Sequence, residues 1–342
     1  MKPKVVWLKP TKGNVSIDRM LIAENLRKEG FDVEIFECSW FAIFRVFIKL
    51  LKEDFDVIIG TTHLGLAVGG IIKLLKDKPF IADFVDEYDV LFVDLDGLKK
   101  IFGYAVVFLQ KFSLKVADAV IVIPKRKYEE FERRNTRVFK TNLCINFRKF
   151  LQVDADLIKE AVSLLSKAGV SFEKPRIVYV GGFGRVYNLE LLIRAMKFLP
   201  DCQLIMIGGG ELEDRLKSLK KSLNLDNVIF VGYVPNNLIP GILKLCDVGV
   251  TLAEVPRQLK IYEYLASGLK VVVPKSVLDS EDFEFSEYCI GTELNERKIS
   301  ESIRKALGLK IKRDKELMKK LSNYDCRSVA KVYNRVLEVV AG

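Results

Sequence analysis

Short apolar runs rich in β-branched residues alternate along the chain with longer stretches in which apolar residues recur at helical spacing. This alternation is typical of βαβ units that build a parallel sheet. The pattern restarts after "FRKFLQVDADLIKEAVSLLSKAGVSFEKP". The runs predicted as strands are Val5 to Leu8, Val33 to Phe36, Val57 to Ile59, Phe80 to Ala82 and Ala119 to Ile123, then Ile177 to Val180, Gln203 to Ile207, Val228 to Val231, Val248 to Leu252 and Val271 to Val273.

The restart predicts an α/β protein of two Rossmann-like domains. We place the first domain at residues 1–160 and the second at 161–323. The last stretch, residues 324–342, reads as an amphipathic helix. A chain of 342 residues with 49% hydrophobic residues can bury a core in each domain.

Composition and net charge limit the partners, the compartment and the source that we expect for this protein. The net charge of +10 favours an anionic partner such as nucleotide phosphate, an anionic lipid headgroup or nucleic acid, and charge alone does not choose among them. No apolar run reaches the roughly 18 residues of a spanning helix, and the N-terminus enters a strand directly, so we expect a cytoplasmic protein. The six cysteines include no C-x-x-C pair and read as small core residues of a reducing compartment. A single histidine and few glutamines suggest a heat-adapted source.

A glycine-rich turn opens the second domain in "IVYVGGFGRVYNLELLIRAM". Gly181, Gly182 and Gly184 follow a strand and precede a helix, where phosphate oxygens can approach backbone N–H groups closely. A tight turn that needs glycine only for its geometry is the alternative. Neither "GGFGRV" nor "GGGELE" completes the G-x-G-x-x-G fingerprint of dinucleotide binding, which disfavours a dehydrogenase.

Four blocks in the second half resemble a known family. They are "YVGGFGRVYNLELLIRAM", "LIMIGGGELEDRLKSLKKSLNLDNVIFVGYVPNNLIPGILKLCDVGVTLAE", "LKIYEYLASGLKVVV" and "SNYDCRSVAKVYNRVLEVV". In order and spacing they are similar to GT-B glycosyltransferases of the family 4, or group 1, type. The first half resembles the family more loosely.

The resemblance implies two domains facing each other across a cleft, with the C-terminal helix packing back on the N-terminal domain. It implies a nucleotide-sugar donor bound by the second domain, with Gly209 among the donor-binding glycines, and a sugar acceptor bound by the first. Transfer with retention of the anomeric configuration, without a metal or other cofactor, is implied as well.

In this family a glutamate in the helix before a core strand binds the ribose of the donor, the role implied for Glu263. Many members carry another glutamate eight residues earlier, where this chain has Val255. Here Lys260 stands one helical turn before Glu263, so ammonium and carboxylate share a face and could both point at the donor. The alternative is a structural ion pair between them.

Two cations that the family often places after the glycine turn are missing. The corresponding positions are Gly182 and Tyr187. Binding of the donor phosphates then falls to Lys260, Arg185 and Arg257, although Arg185 could equally be a solvated loop cation.

Candidates for the acceptor site follow strands of the first domain. Asp86 lies in an acidic turn with Asp83, Glu87 and Asp89, where a histidine is common in the family. Clustered carboxylates raise one another's pKa, which suits a general base or the binding of sugar hydroxyls, against a plain solvated loop. His63, the only histidine, is the rival catalytic candidate, although a lone histidine is more often structural. The "DLD" at residues 94–96 imitates a metal motif of another glycosyltransferase fold, and we discount it.

Two basic, aromatic stretches predict contact with an anionic membrane surface. In residues 39–52, three cations recur at helical spacing beside aromatic residues, and residues 98–117 carry only lysines among aromatic residues. Core-facing helices with a solvated basic edge are the alternative. The cations are Arg45, Lys49 and Lys52, then Lys99, Lys100, Lys111 and Lys115.

The function predicted is therefore a retaining glycosyltransferase with a lipid-linked or membrane-proximal acceptor. Two alternatives stay open, a sugar-nucleotide epimerase of similar fold and a catalytically degenerate transferase that serves as a scaffold. Nucleic-acid binding is disfavoured because we expect the basic stretches to be interleaved with broad aliphatic faces rather than with exposed aromatic side chains that stack on bases.

Overall fold

The structure is a computed structural model that describes residues 2–11, 14–85, 98–133, 137–309 and 314–342. The chain divides into two compact units, one of residues 1–145 with 323–342 and the other of residues 146–322. The predicted boundary after residue 160 lies within a helix of the second unit, Ala155–Lys167.

The first unit is built on a six-stranded parallel sheet in the order β2-β1-β3-β4-β5-β6. Its strands are β1 (Lys4–Pro10), β2 (Asp32–Cys38), β3 (Val57–Thr61), β4 (Phe80–Phe84), β5 (Ala119–Val122) and β6 (Val138–Lys140). Its helices are α1 (Asn14–Lys28), α2 (Ile43–Lys52), α3 (Thr62–Lys76), α4 (Leu98–Val116), α5 (Lys125–Arg133) and the C-terminal α15 (Cys326–Ala341).

Helices cover both faces of this sheet, as the near-continuous apolar strands require. On one face α1 and α15 share a core with the sheet, and α15 contributes Val329, Tyr333, Val336 and Leu337. On the other face the core takes side chains from α2, α3, α4 and α5. The expectation that the C-terminal helix packs on the N-terminal domain is confirmed.

A disulfide lies where the chain leaves the first unit and returns to it. Cys144 and Cys326 are bonded, and the Ile145 N–H donates to the Tyr324 carbonyl at 2.8 Å. The prediction that all six cysteines are free core residues was therefore wrong for this pair. The other four are unpaired, and Cys38 and Cys202 are buried as expected.

The second unit also has a six-stranded parallel sheet, in the order β12-β11-β10-β7-β8-β9. Its strands are β7 (Arg176–Val180), β8 (Gln203–Ile207), β9 (Val228–Gly232), β10 (Val248–Val250), β11 (Lys270–Pro274) and β12 (Cys289–Thr292). Its helices are α6 (Phe147–Leu151), α7 (Ala155–Lys167), α8 (Leu189–Ala195), α9 (Glu213–Ser222), α10 (Ile239–Lys244), α11 (Leu259–Ser267), α12 (Lys275–Leu278), α13 (Glu296–Gly308) and α14 (Lys315–Ser322).

The observed strands bear out the pattern of the sequence. Every predicted run overlaps a strand, and two Rossmann-like units result. The strands β6 and β12 were missed because they are short and their side chains are not fully buried. No helix in the described part of the chain is long and apolar enough to cross a bilayer.

Candidate functional site

The strand order of the second sheet indicates where a ligand binds. Strands β7 and β10 are neighbours although β8 and β9 intervene in sequence, so the order reverses between them. In open α/β sheets ligands bind outside the carboxyl ends of the strands at such a switch point. Here β7 ends in the turn of Gly181 to Gly184, and β10 leads through residues 251–258 into α11.

Two glycine turns meet at this point, backbone against backbone. Gly181 has φ +145° and Gly208, which follows β8, has φ +122°. A Cβ added to Gly208 would lie 2.1 Å from the Gly181 carbonyl oxygen, so only glycine fits. Gly209 is buried beneath the Tyr233 ring, and its carbonyl accepts a hydrogen bond from the Phe183 N–H at 2.9 Å.

The outer part of the first turn faces solvent. Gly182 is exposed, and its carbonyl accepts a hydrogen bond from the Tyr179 hydroxyl at 2.7 Å. Among the described residues none accepts a hydrogen bond from the N–H of Gly182 or Gly184. These two N–H groups are free to bind an anion.

Arg185 does not reach into this arrangement. Its side chain is 85% exposed, and its Nε lies 3.6 Å from a Glu211 carboxylate oxygen. Arg257 is also engaged elsewhere, because its guanidinium donates to Asp282 at 2.8 Å. Of the three expected phosphate cations, the structure brings only Lys260 against the glycine turn.

Lys260 is a buried ammonium enclosed by aromatic rings. Its Nζ lies 4.2 Å from the ring centroids of both Tyr179 and Tyr187, and it donates to the Tyr179 hydroxyl at 3.1 Å. A Cβ added to Gly181 would lie 2.7 Å from this Nζ, so the ammonium faces the turn. Burial lowers the pKa of Lys260 to about 7, although the Glu263 carboxylate opposes the shift.

Glu263 lies one turn further along α11 and is partly buried. Burial raises the pKa of its carboxyl group, and the ammonium groups of Lys149 and Lys260 oppose this rise. Within the described part of the chain, no ion pair of 4.0 Å or less and no hydrogen bond engages the Glu263 carboxylate. The structural ion pair with Lys260, the alternative left open by the sequence, is not formed.

The segment between β10 and α11 is fixed by one buried amide. Gln258 Nε2 donates to the carbonyl groups of Ala253 and Val255, at 3.1 and 2.7 Å, and the Thr251 hydroxyl donates to its Oε1 at 2.6 Å. The Val255 side chain, which replaces a family glutamate, is 48% exposed. The position of α11 against the glycine turns is therefore held by residues that do not themselves carry charge.

Lys149 is a charged residue of this site that the sequence did not reveal. It belongs to α6, which packs against α11 and brings the ammonium near Glu263. Nothing in "FRKFLQ" distinguishes this lysine from a solvated one. Only the packing of α6 identifies it.

In the first unit, the corresponding switch point lies between β1 and β3. His63 follows β3 at the start of α3 and is buried, with Nδ1 2.9 Å from Gln110 Oε1. Its Nε2 is buried without a hydrogen-bond partner. Asp86 follows β4 in sequence and lies outside the described residues, as do Glu87, Asp89 and the "DLD" of residues 94–96.

Asp83 is neither a free member of the predicted acidic cluster nor the solvated loop residue of the alternative. It is fully buried on β4 and accepts hydrogen bonds from Arg19 Nε and Nη2, both at 2.8 Å. The hydroxyl groups of Thr61 and Tyr333 also donate to it, at 2.7 and 2.8 Å. Asp83 therefore ties α1 and α15 to the sheet and is occupied structurally.

The segment that contains α2 leaves part of its apolar surface exposed. Val46 and Leu50 are buried, whereas Phe41 and Phe44 are 101% and 72% exposed beside the exposed Arg45. Lys49 pairs with Glu34 at 3.2 Å. The helix α4 likewise leaves Ile101, Phe102, Tyr104 and Phe108 exposed.

Comparison with known proteins gives one family match and several similar solved structures. Residues 165–324 match the family described as Glycosyl transferases group 1. No curated protein matches the sequence. Among solved structures, the chain is similar to HepE from Anabaena in complex with UDP and glucose, with 15% identity over 99% of this chain and 100% of that one and a TM-score of 0.66.

Two further structures resemble the chain at similar coverage. A glycosyltransferase from Rickettsia africae has 13% identity and a TM-score of 0.71, over 99% of this chain and 98% of that one. The UDP-GlcNAc 2-epimerase from Methanocaldococcus jannaschii has 11% identity and a TM-score of 0.64, over 99% of this chain and 100% of that one. At these identities the likeness shows the fold alone.

Residues 165–324 thus form a group 1 glycosyltransferase domain within a chain of GT-B fold. The predicted fold and the predicted glycosyltransferase class are confirmed.

Proposed function

We propose that this protein transfers a sugar from a nucleotide-diphosphate sugar to an acceptor, with retention of the anomeric configuration. The observation that carries the proposal is that Lys260 and Glu263 lie beside the glycine turns, at the switch point of the second sheet, and that neither is in an ion pair among the described residues. An ammonium against exposed N–H groups suits a diphosphate, and an unpaired carboxylate suits ribose hydroxyls.

The donor phosphates would be bound by Lys260 with the N–H groups of Gly182 and Gly184. Gly181 and Gly209 would shape the two turns, and Arg185 would add charge from solvent. HepE was solved with UDP and glucose, which supports a uridine donor as the first to test.

A thermal-shift panel of uridine, guanosine and adenosine diphosphate sugars tests the donor. A ligand at 100 times its dissociation constant adds about 2.7 kcal/mol of stability, which a melting curve resolves. No shift with any donor would contradict the proposal. Incubation of a bound donor without acceptor distinguishes the two candidate activities. An epimerase would change the sugar of the donor, whereas a transferase would not.

The acceptor would bind the first unit, where His63 and Asp86 are the candidate catalytic residues. Support comes from the place of His63 at the switch point between β1 and β3. We further propose that transfer needs no metal. Among the described residues no group of three histidine, cysteine or acidic side chains could hold one. Transfer that stops in EDTA and resumes with magnesium or manganese would contradict this.

We propose that the enzyme works in the cytoplasm at an anionic membrane surface and that its acceptor is lipid-linked. The supporting observation is the surface of α2 and α4, where exposed aromatic side chains adjoin exposed cations. Aromatic side chains can enter the headgroup region while cations attract anionic lipids.

Charge reversal on α2 tests this surface. Arg45, Lys49 and Lys52 are changed together to glutamate, which should release the protein from phosphatidylserine vesicles at about 1 kcal/mol per charge. The matched control reverses Arg327, Lys331 and Arg335, three exposed cations of α15 on the opposite face of the same sheet. Equal co-sedimentation of both variants would contradict a role for α2.

A further inference from the structure

The amino end of α3, in the first unit, carries hydrogen-bond donors that the described residues do not satisfy. Thr61 precedes the helix, but its hydroxyl makes no capping bond and donates to Asp83 instead. Among the described residues none accepts a hydrogen bond from the N–H groups of Thr62, His63 or Leu64. Because α3 has 15 residues, these donors lie at the positive end of a substantial helix dipole.

The backbone that leads into α3 has an unusual conformation. Thr62 has φ +58°, a left-handed value that β-branched residues seldom adopt. Such conformations cost energy and occur preferentially at functional sites. The turn places His63 at the carboxyl end of β3, at the switch point of the first sheet, where ligands bind in open α/β sheets.

The side chain of His63 is a second, independent indication of a binding site. It is 8% exposed, and its Nε2 is buried without a hydrogen-bond partner among the described residues. Its Nδ1 lies 2.9 Å from Gln110 Oε1, on α4. The two nitrogens point in different directions from the ring, so Nε2 does not face Gln110. A buried nitrogen without a partner is costly unless a ligand satisfies it.

Gln110 is held in place by the packing of α4 on α3. Its side chain is fully buried. One turn further along the same face of α4, a Cβ added to Gly70 of α3 would lie 2.1 Å from the Ser113 hydroxyl oxygen. The two helices are therefore in close contact at this point, and the Gln110 amide reaches the His63 ring from a rigid element.

The contact with Gln110 determines which nitrogen of the neutral His63 ring carries the proton. The Oε1 atom can only accept, so Nδ1 donates to it, and Nε2 is then an acceptor without a proton. The backbone N–H groups on the same turn of α3 are donors. A hydroxyl can donate to Nε2 and accept from an N–H group at the same time, whereas a phosphate would bring acceptor oxygens against the bare nitrogen.

We propose that Gln110 is a positioning residue that holds His63 in its Nδ1–H form, so that Nε2 accepts a hydrogen bond from the acceptor hydroxyl that receives the sugar. The N–H groups of the first turn of α3 orient the hydroxyl groups of the same acceptor. This inference rests on the proposed function, since it requires a sugar acceptor in the first unit.

The protonation of His63 can be measured directly, because it is the only histidine of the chain. Nitrogen NMR of untagged protein labelled at histidine, at about pH 8 where a histidine is ordinarily neutral, should show a proton on Nδ1 and none on Nε2. Gln110→Met removes the acceptor and should move much of the proton population to Nε2. Ser113→Ala is the matched control, since this buried hydroxyl of α4 makes no hydrogen bond among the described residues, and should leave the ring unchanged.

The functional readout is release of UDP from UDP-glucose with water as the acceptor, or the same reaction of whichever donor binds. Gln110→Met should lower kcat about tenfold or more, within the range that positioned proton-accepting groups contribute. The KM for the donor should stay near that of the wild type, because the second unit binds the donor. Ser113→Ala should match the wild type in both constants.

Contrary results separate the parts of the proposal. A wild-type ring with its proton on Nε2 overturns the assignment of Gln110, and a proton that moves in Gln110→Met without a change in kcat makes the contact structural. If inorganic phosphate binds and protonates both nitrogens, this end of α3 is an anion site and the hydroxyl assignment is wrong. A wild type that binds no donor overturns the proposed function, whatever the state of the ring. Gln110→Asn, with its amide one methylene further from the ring, replaces the methionine variant if that one fails to fold.

Discussion

The two units each bury charge beneath the carboxyl ends of their strands, but they treat it differently. In the first unit Arg19 and Asp83 are fully buried, and Asp83 accepts hydrogen bonds from Arg19, Thr61 and Tyr333. Among the described residues of the second unit, Lys260 contacts a tyrosine hydroxyl and two aromatic rings, and Glu263 makes no hydrogen bond.

This difference distinguishes a cluster of charges that stabilises the fold from one that can bind a ligand. The Asp83 carboxylate accepts four hydrogen bonds and so has no capacity left for a ligand, and removing one partner of the ion pair leaves the other charge buried alone. Charges held near one another but not paired keep their hydrogen-bonding capacity, at a cost to stability that bound ligand can offset. We infer that the first cluster holds the fold and that the second binds substrate.

The largest effect should come from breaking the first cluster. Asp83→Asn leaves the Arg19 guanidinium buried without its counter-charge, which typically costs about 3–5 kcal/mol. The free energy of unfolding in urea measures the loss. Arg19→Met is the reciprocal variant and should cost a similar amount. A loss below about 1 kcal/mol in both would mean that the pair is not what fixes α1 and α15 to the sheet.

The disulfide also stabilises the first unit, so its contribution has to be measured separately from that of the Arg19–Asp83 cluster. Cys144 and Cys326 enclose a span of 182 residues, so reduction should cost about 2–4 kcal/mol. Urea unfolding with and without dithiothreitol measures this cost. The double variant with serine at both positions is the control and should not respond to the reductant. If Asp83→Asn costs much more after reduction than before, the two features are coupled rather than independent.

The fold was predictable because its signals are local. Runs such as Val5 to Leu8 are β-branched and apolar, and their alternation with helical stretches specifies parallel sheets whatever the tertiary detail. The disulfide was not predictable, because its cysteines are distant in sequence and share no motif.

The candidate site was predictable in position but not in its contacts. The spacing of Lys260 and Glu263 correctly places both on one helix face, yet it also favours an ion pair that does not form. The Tyr179 and Tyr187 rings attract the ammonium instead, and ring positions depend on tertiary packing. Lys149 was missed for the same reason, since only the contact of α6 with α11 brings it near.

Glu263→Gln tests the second cluster and should have an intermediate effect. The variant keeps the shape, removes the charge and should weaken donor binding about ten- to a hundredfold, because charged hydrogen bonds to hydroxyl groups are lost. Its melting temperature should stay near that of the wild type, in contrast to Asp83→Asn. Calorimetry measures the donor affinity of this variant, and a melting curve measures its stability. A destabilised variant with undiminished affinity would make Glu263 structural and erase the difference between the two clusters.

The smallest effect concerns the protonation of Lys260. In the free protein burial lowers its pKa to about 7, so near neutral pH a large fraction is uncharged. A donor diphosphate beside the ammonium favours the charged form and raises the pKa in the complex. Binding above pH 7 therefore takes up a proton, and the affinity should fall as pH rises, by up to about tenfold per pH unit.

Isothermal titration at pH 7 and pH 8, in buffers of different ionisation enthalpy, measures both the affinity and the proton uptake. Lys260→Arg is the matched control, because a guanidinium stays charged across this range and its affinity should not depend on pH. The enclosure by Tyr179 and Tyr187 would then make the affinity depend on pH only in the wild type, where the residue is a lysine. Equal pH dependence of the affinity in wild type and variant would mean that the titrating group is not Lys260. If neither protein takes up a proton on binding, Lys260 is already charged in the free protein, as are the paired charges of the first unit.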